Sequence, residues 1–187
     1  MSEPATRLVE ARSCEGCTLC CKLMTIAALA KPSQTWCSHC EIGVGCSIYA
    51  DRPDACRTFY CAYRHSADLG EEWRPTTAHM VVNYEKGRNR INVTVDADHP
   101  SIWRSAPYFQ QIKTWAANIL QRKGHLVVWD SGKTIVVLPD HEEVFENIAD
   151  QQLVILNRKS EAGDEYKVLA VAQDDPRLSS GGDAHWD

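Results

Sequence analysis

A chain of 187 residues has room for one compact domain, or for a small module attached to a modest body. Its hydrophobic content of 44% and charged content of 24% are those of an ordinary soluble globular protein. The net charge of −5 argues against a nucleic-acid-binding surface, because such surfaces are usually basic. Residues 1–65 hold seven Lys/Arg against six Asp/Glu, so zinc-finger-type DNA binding is disfavoured even there.

The N-terminal stretch carries no targeting signal that we can identify. Met1 to Ser13 lacks the apolar core of a signal peptide. Leu23 to Ala30 is the most apolar early run, but it is too short to span a bilayer and is predicted to be a short buried segment. We therefore expect a cytoplasmic protein with no membrane contact.

All nine cysteines lie between residues 14 and 61, and this crowding needs a chemical explanation. Disulfides are disfavoured by the odd number of cysteines and by the lack of a secretory signal. A metal site is favoured instead. The candidate ligands are the nine cysteines and one histidine among them: Cys14, Cys17, Cys20, Cys21, Cys37, His39, Cys40, Cys46, Cys56 and Cys61.

Two Cys-x2-Cys pairs, Cys17/Cys20 and Cys37/Cys40, have a zinc-type spacing. Sixteen residues separate them, which falls within the range found in four-cysteine zinc sites. Four thiolates can complete a tetrahedron at about 2.3 Å from the ion. Zinc is therefore the favoured metal.

The adjacent cysteines Cys20 and Cys21 suggest more than one centre. Neighbouring side chains point to opposite sides of an extended chain, and diverge by roughly 100° in a helical turn. Two neighbours therefore serve two centres more easily than one. We predict two zinc ions that share the Cys20–Cys21 step, with the assignment of the other ligands left open.

Local sequence around the later cysteines fits such a site. Asp51-Arg52-Pro53-Asp54 predicts a helix start with Asp51 as its N-cap. Cys56 would then lie early in a short helix, where the dipole favours a thiolate. Positive side chains could offset the charge of a thiolate-bound metal, or be ordinary surface residues: Lys22, Arg52, Arg57 and Arg64.

Two motifs resemble a known family. They are Cys14-x2-Cys17-x2-Cys20-Cys21, and the run from Gly45-Cys46-Ser47-Ile48-Tyr49 through Arg52-Pro53-x2-Cys56-Arg57-x-Phe59-x-Cys61. Together they resemble the zinc- or iron-chelating domain family with a CxxCxxCC signature, the YkgJ-type cysteine-cluster proteins. The resemblance covers about the first third of the chain. It implies a bacterial cytoplasmic protein with metal binding at the seven cysteines in these motifs. The broader family includes flagellin lysine methylases, so a methyl-transfer enzyme is an alternative by analogy alone.

Iron is the other alternative. The triplet Cys14-x2-Cys17-x2-Cys20 also matches the first three ligands of a bacterial ferredoxin, although the Cys-Pro that completes that motif is absent. Thiolates bind both zinc and iron–sulfur clusters, so ligand type does not decide. The two Cys-x2-Cys pairs and His39 favour zinc over an iron–sulfur protein with a redox or catalytic role.

The rest of the chain predicts an α+β body. Hydrophobic periodicity and turn residues give the following elements: strands over Ala78–Tyr84 and Arg90–Val95, a helix over Pro107–Lys123 ended by Gly124, strands over His125–Trp129 and Thr134–Leu138, a short helix over His141–Ala149, and strands over Leu153–Asn157 and Tyr166–Val171. We expect an antiparallel sheet with one or two covering helices and the cysteine-rich module packed on it.

Three segments follow from this pattern. They are a metal-binding module over residues 1–65, the body over 66–172 and a mobile tail over 173–187. The polar stretch from Ala62 to Pro75 is the expected junction between module and body. The body would bind a protein or small-molecule partner that the sequence does not identify.

Other polar clusters are assigned ordinary roles. Asp96-x-Asp98-His99 could bind a hard cation or act in catalysis, but a solvated loop at a strand end is favoured. His65 and His79 could reach the metals, but ordinary surface or core histidines are favoured.

Overall fold

The computed structural model describes residues 8–146, 148, 151–160 and 163–178. The first third of the chain consists of short elements. In order they are α1 (Leu19–Leu23), β1 (Cys40–Glu41), β2 (Gly45–Cys46), α2 (Asp54–Thr58), α3 (Ala62–His65) and α4 (Pro75–Ala78), with 3₁₀ helices at Ala27–Leu29, Tyr49–Asp51 and Glu71–Trp73.

The body is built on a five-stranded sheet and one long helix. The elements are β3 (Met80–Glu85), β4 (Arg90–Val95), α5 (Tyr108–Leu120), β5 (His125–Asp130), β6 (Lys133–Val137) and β7 (Glu142–Glu146). The strand order is β3-β4-β5-β6-β7, and every pair is antiparallel except β4 and β5. That pair is parallel because α5 carries the chain back across the sheet between them.

A second hairpin follows the sheet. It consists of β8 (Gln151–Ser160) and β9 (Gly163–Ala172), which pair antiparallel. Short 3₁₀ helices occur at Lys86–Arg88, Ile102–Arg104 and Pro176–Leu178. The combination of helices with antiparallel-rich sheets is an α+β fold, as predicted. Within the described ranges, no helix has both the length and the apolar character needed to cross a membrane.

Both faces of the sheet are covered, and strand alternation explains how. In β5, Leu126 and Val128 face the core that contains Ile112 and Ala116 of α5. Val127, between them, points to the other face and packs with Val168 of β9. Because side chains alternate along a strand, one apolar run supplies two cores.

The first third of the chain wraps around the edge strand β3. Leu19 and Leu23 of α1 pack against Val81 on one face of β3. Tyr63 and Trp73 join the α5 core on the opposite face. The junction expected between residues 62 and 75 therefore contributes to the main core of the body.

Gly124 ends the long helix region, as predicted. Close packing around this residue also requires a glycine. Helix α5 ends at Leu120, and Lys123 adopts a left-handed conformation with φ +59°. A Cβ on Gly124 would collide with the backbone oxygen of Asn89 and with Ile119. The glycine is required because the chain enters β5 in close contact with the β3–β4 turn.

Three local predictions are wrong. Within the helix expected over His141–Ala149, residues 142–146 form strand β7 instead, because the exposed edge of β6 offers backbone hydrogen bonds to this alternating segment. Residues 147 and 149 lie outside the described part of the chain. Asp51 does not cap α2: it ends a 3₁₀ helix, and Arg52 and Pro53 are extended before the helix begins. The run from Leu23 to Ala30 was expected to be a buried segment. Leu23 and Ile26 are buried, but the other residues are half-buried or exposed.

The expected tail falls mostly outside the described residues. Its described part, 173–178, contains the 3₁₀ helix Pro176–Leu178, and Leu178 packs against the apolar cluster of the β8–β9 hairpin.

The start of β5 predicts a dependence of stability on pH. Burial lowers the pKa of His125 to about 4, with Arg90 and Arg88 adding repulsion, and its Nε2 atom has no partner among the described residues. The unfolded histidine has a pKa of about 6.5, so between these values the unfolded chain binds more protons. Stability should fall by about 2–3 kcal/mol as the pH drops from 6.5 to 4, and then level off.

The replacement His125→Gln should remove most of this slope. Urea unfolding at several pH values would measure it. A variant that retains the wild-type slope between pH 6.5 and 4 would contradict the assignment.

Candidate metal centre

Backbone turns bring cysteines that are close in sequence next to one another. The Cys17 N–H donates to the Cys14 carbonyl at 3.0 Å, and the Cys40 N–H donates to the Cys37 carbonyl at 3.0 Å. Cys40 lies directly opposite Cys46 in the β1–β2 ribbon. The ribbon turns at Gly43, whose φ of +77° favours glycine. Each turn directs two thiols to the same side of the chain.

All nine cysteines are free thiols. Cys14 is exposed, Cys37 is buried and the other seven are half-buried. Free, partly buried thiols in this number are available as metal ligands.

The first group of thiols consists of Cys14, Cys17 and Cys61. Burial raises the pKa of Cys61, and the nearby sulfurs of Cys17 and Cys14 raise it further. Burial likewise raises the pKa of Cys17, with Cys14 adding to it and Arg74 opposing it. These three thiols therefore lie close enough to repel one another when ionised.

The second group of thiols consists of Cys21, Cys37, Cys40, Cys46 and Cys56. Burial raises the pKa of Cys56, with further contributions from Cys21, Cys37 and Cys46. Burial also raises the pKa of Cys40 to about 11, followed by the influence of Cys21. Cys56 does lie early in α2, but the thiolate that we expected the helix to favour is outweighed by burial and neighbouring sulfur.

Cys20 lies between the two groups. Hydrogen bonding with Cys20 is the main cause of a raised pKa at Cys21. Cys20 also packs, together with Cys61, against the Leu19/Leu23/Val81 cluster. It therefore touches elements of both groups.

The matched zinc spacing does not describe this grouping. The cysteine that raises the pKa of Cys17 is Cys14, and not Cys37 or Cys40. Those two cysteines are instead associated with Cys21 and Cys56. His39 is half-buried, and its carbonyl accepts hydrogen bonds from the backbone and side chain of Ser47, at 2.9 and 3.2 Å.

A buried lysine faces the second group, and the sequence alone did not identify it. The Lys31 ammonium donates to the carbonyls of Lys22 at 2.9 Å, Met24 at 2.5 Å and Pro32 at 2.8 Å. Burial lowers its pKa, and four thiols, beginning with Cys37, oppose that shift. Lys31 thus supplies positive charge beside the second group.

Three arginines carry buried N–H groups without acceptors in the described part of the chain. They are Arg52 at Nε, Arg64 at Nε and Nη1, and Arg74 at Nε. Arg74 opposes the raised pKa of Cys17, and Arg52 does so at Cys56. For Arg64 the contact is made by the backbone, whose N–H donates to the Cys61 carbonyl at 2.9 Å. The guanidinium groups of Arg74 and Arg52 therefore lie near the first and the second thiol group respectively.

Two of the expected cations have other roles. Lys22 pairs with Asp96 and Asp98, at 2.5 Å in each case. Arg57 is exposed and donates to the carbonyls of Arg52 and Ala50. Arg74 and Lys31 supply the positive charge instead.

Free thiols with lysine and arginine side chains nearby are donors that suit either zinc or iron. Among the described residues, no three cysteine sulfurs lie within 4.8 Å of one another. The group of ligand atoms that meets this limit is His79, Asp96 and His99.

The loop at residues 96–99 was expected to be solvated throughout. It is only partly solvated, because Asp96 is 4% exposed. The sequence did not reveal that His79, 17 positions earlier, joins this loop across the hairpin.

Compared with protein-family models, with curated proteins and with solved structures, the chain gives no match.

Proposed function

We propose that this chain is a zinc-binding protein whose N-terminal module chelates two metal ions. Cys14, Cys17 and Cys61, with Cys20, would hold the first ion. The second would be held by four ligands from the second thiol group, with His39 as an alternative donor. The two motifs that resemble the CxxCxxCC family support the same proposal.

The observation that carries the proposal is the pair of buried guanidinium Nε–H groups of Arg52 and Arg74, which have no acceptor among the described residues and lie near the free thiols of Cys56 and Cys17. A buried donor without an acceptor costs about 1–3 kcal/mol. A dication held by four thiolates carries a net charge of −2, so its sulfurs would accept these N–H groups and balance their charge. Neutral thiols would leave the donors unpaired.

Bound zinc would act as a structural element of the module. Closed zinc sites supply on the order of 10–16 kcal/mol of binding energy, which becomes folding energy. The biochemical role would then lie in a cytoplasmic partner, protein or small molecule, that binds the body. No step of catalysis is assigned to the metals.

Metal content tests the proposal directly. The full chain would be purified without air, and zinc, iron and the optical spectrum would be measured. We expect two equivalents of zinc and no visible absorption. Cys17→Ser and Cys37→Ser should each lose about one equivalent, and the double variant should lose both. Cys20→Ser and Cys21→Ser should reduce different centres.

Ser38→Ala is the matched control, because Ser38 is exposed within the same turn as Cys37. It should retain both equivalents. A brown protein with bound iron would reject the zinc assignment in favour of an iron–sulfur cluster. A protein without either metal, with its thiols paired as disulfides, would reject the proposal.

A further inference from the structure

The open end of the β3–β4 hairpin brings two histidines and an aspartate together. His79 immediately precedes β3, and Asp96 immediately follows β4. The Asp96 N–H donates to the His79 carbonyl at 2.9 Å, which closes this end of the hairpin. A turn then returns His99, whose N–H donates to the Asp96 carbonyl at 2.8 Å. The backbone thus brings His79 to two side chains that lie 17 and 20 positions later in the sequence.

Their ligand atoms converge. One nitrogen of each histidine and one carboxylate oxygen of Asp96 all lie within 4.8 Å of one another. The two imidazole rings are stacked, with centroids 3.6 Å apart and planes 16° from parallel. His99 Nδ1 lies 3.8 Å from Asp96 Oδ2. An ion held at about 2.0–2.2 Å from each of these atoms would require the two rings to rotate out of their stack.

The carboxylate of Asp96 is positioned with one oxygen occupied and the other available. Oδ1 accepts hydrogen bonds from Lys22 at 2.5 Å and from the Asp98 N–H at 3.1 Å. Oδ2 accepts none from the described residues, and it is the oxygen that faces His99. Asp96 is therefore held rigidly by one oxygen while the other points into the cluster.

Charge also favours a cation here. Lys22 is paired with two carboxylates, Asp96 and Asp98, so the three groups together carry −1. Imidazole binds a metal ion in its neutral form, so the histidines would add no charge as ligands. An excess negative charge next to two imidazoles attracts a divalent ion more than a monovalent one.

We propose that His79, Asp96 and His99 bind a divalent first-row transition-metal ion at a site separate from the cysteine centres. Two imidazoles and one carboxylate are a ligand set found for zinc and for non-haem iron. The side chains of His99 and Asp98 are 44% and 74% exposed, so solvent or a small anionic ligand could complete the coordination. The site needs no sulfur ligand.

Cobalt titration of protein loaded with only two equivalents of zinc tests this assignment, because zinc occupies the thiolates first and leaves the histidine site for cobalt. Calorimetry should show one further equivalent of Co²⁺, without the intense near-ultraviolet absorption that cobalt–thiolate bonds produce. His99→Ala and His79→Asn should each weaken this binding at least about tenfold. Asparagine suits position 79 because it tolerates the left-handed φ of +52° found there.

His141→Ala is the matched control, because His141 is similarly exposed and also lies beside carboxylates, Asp140 at 2.9 Å and Glu143 at 3.6 Å. It should bind Co²⁺ like the wild type. Absence of the further equivalent, unchanged affinity in both site variants, or equal weakening in His141→Ala would each overturn the proposal. Zinc content would be measured in the same samples, so a failure of the cysteine centres would be seen separately.

Discussion

Removing the bound metal with a chelator under reducing conditions should expose residues 14–61 to amide exchange while strands β4 to β6 remain protected. Between those positions, the buried hydrophobic residues are Leu19, Leu23, Ile26 and Cys37. Because few large apolar side chains in this span are buried, hydrophobic packing alone stabilises it weakly. Ligation of zinc would supply the folding energy that this small core lacks.

Hydrogen exchange followed by mass spectrometry would measure this effect. Protection in residues 14–61 should fall on the order of a thousandfold, which is about 4 kcal/mol of local stability. The β8–β9 hairpin in the same sample is an internal control, since the described apolar clusters in which it packs contain no cysteine. Equal loss of protection throughout the chain, or none anywhere, would contradict a metal-dependent module.

The replacement Lys22→Met should destabilise the metal-loaded protein by about 3–5 kcal/mol. The side chains of Lys22 and Asp96 are only 9% and 6% exposed, and they meet at 2.5 Å. Without the ammonium, the Asp96 carboxylate would remain buried and uncompensated, which is the costly case for a buried ion pair. Lys22 also joins α1 to the end of β4, so the loss would loosen the module from the sheet.

A double-mutant cycle and a surface pair would test this account. In Lys22→Met/Asp96→Asn, the unpaired charge is gone, and we expect a large part of the lost stability to return. Arg104→Met is the matched control, because Arg104 also makes two hydrogen bonds to a carboxylate, that of Glu142, but is 42% exposed. It should cost no more than about 1 kcal/mol in denaturant unfolding. A Lys22→Met variant as stable as Arg104→Met would reject the buried-pair argument.

The body shows which elements local sequence predicts well. The β3–β4 and β5–β6 hairpins and helix α5 were predicted close to their observed bounds, because each combines a clear periodicity with a turn or stop residue. The segment 142–146 was mistaken for helix because its strand structure comes from pairing with β6. The parallel contact of β4 with β5 could not be predicted from either strand alone.

The candidate sites show the same division. The cysteines and their motifs predict a metal-binding region by residue type and spacing alone. Their grouping follows from the folded chain, which places Cys61 beside Cys14 and Cys17 and pairs Lys22 with Asp96. Arg74 and Lys31 were missed because nothing in their neighbouring sequence indicates proximity to sulfur.

By itself, the sequence determined the chemistry available to this protein: a sulfur-rich first third, an α+β body and the α5 core. Tertiary structure alone decided which side chains share a site. It joined His79 to Asp96 and His99, and it turned a loop that looked solvated into a cluster around a buried carboxylate. The physical reason is that spacing reports neighbours along one element, whereas ligand clusters are built by strand pairing and packing between residues distant in the chain.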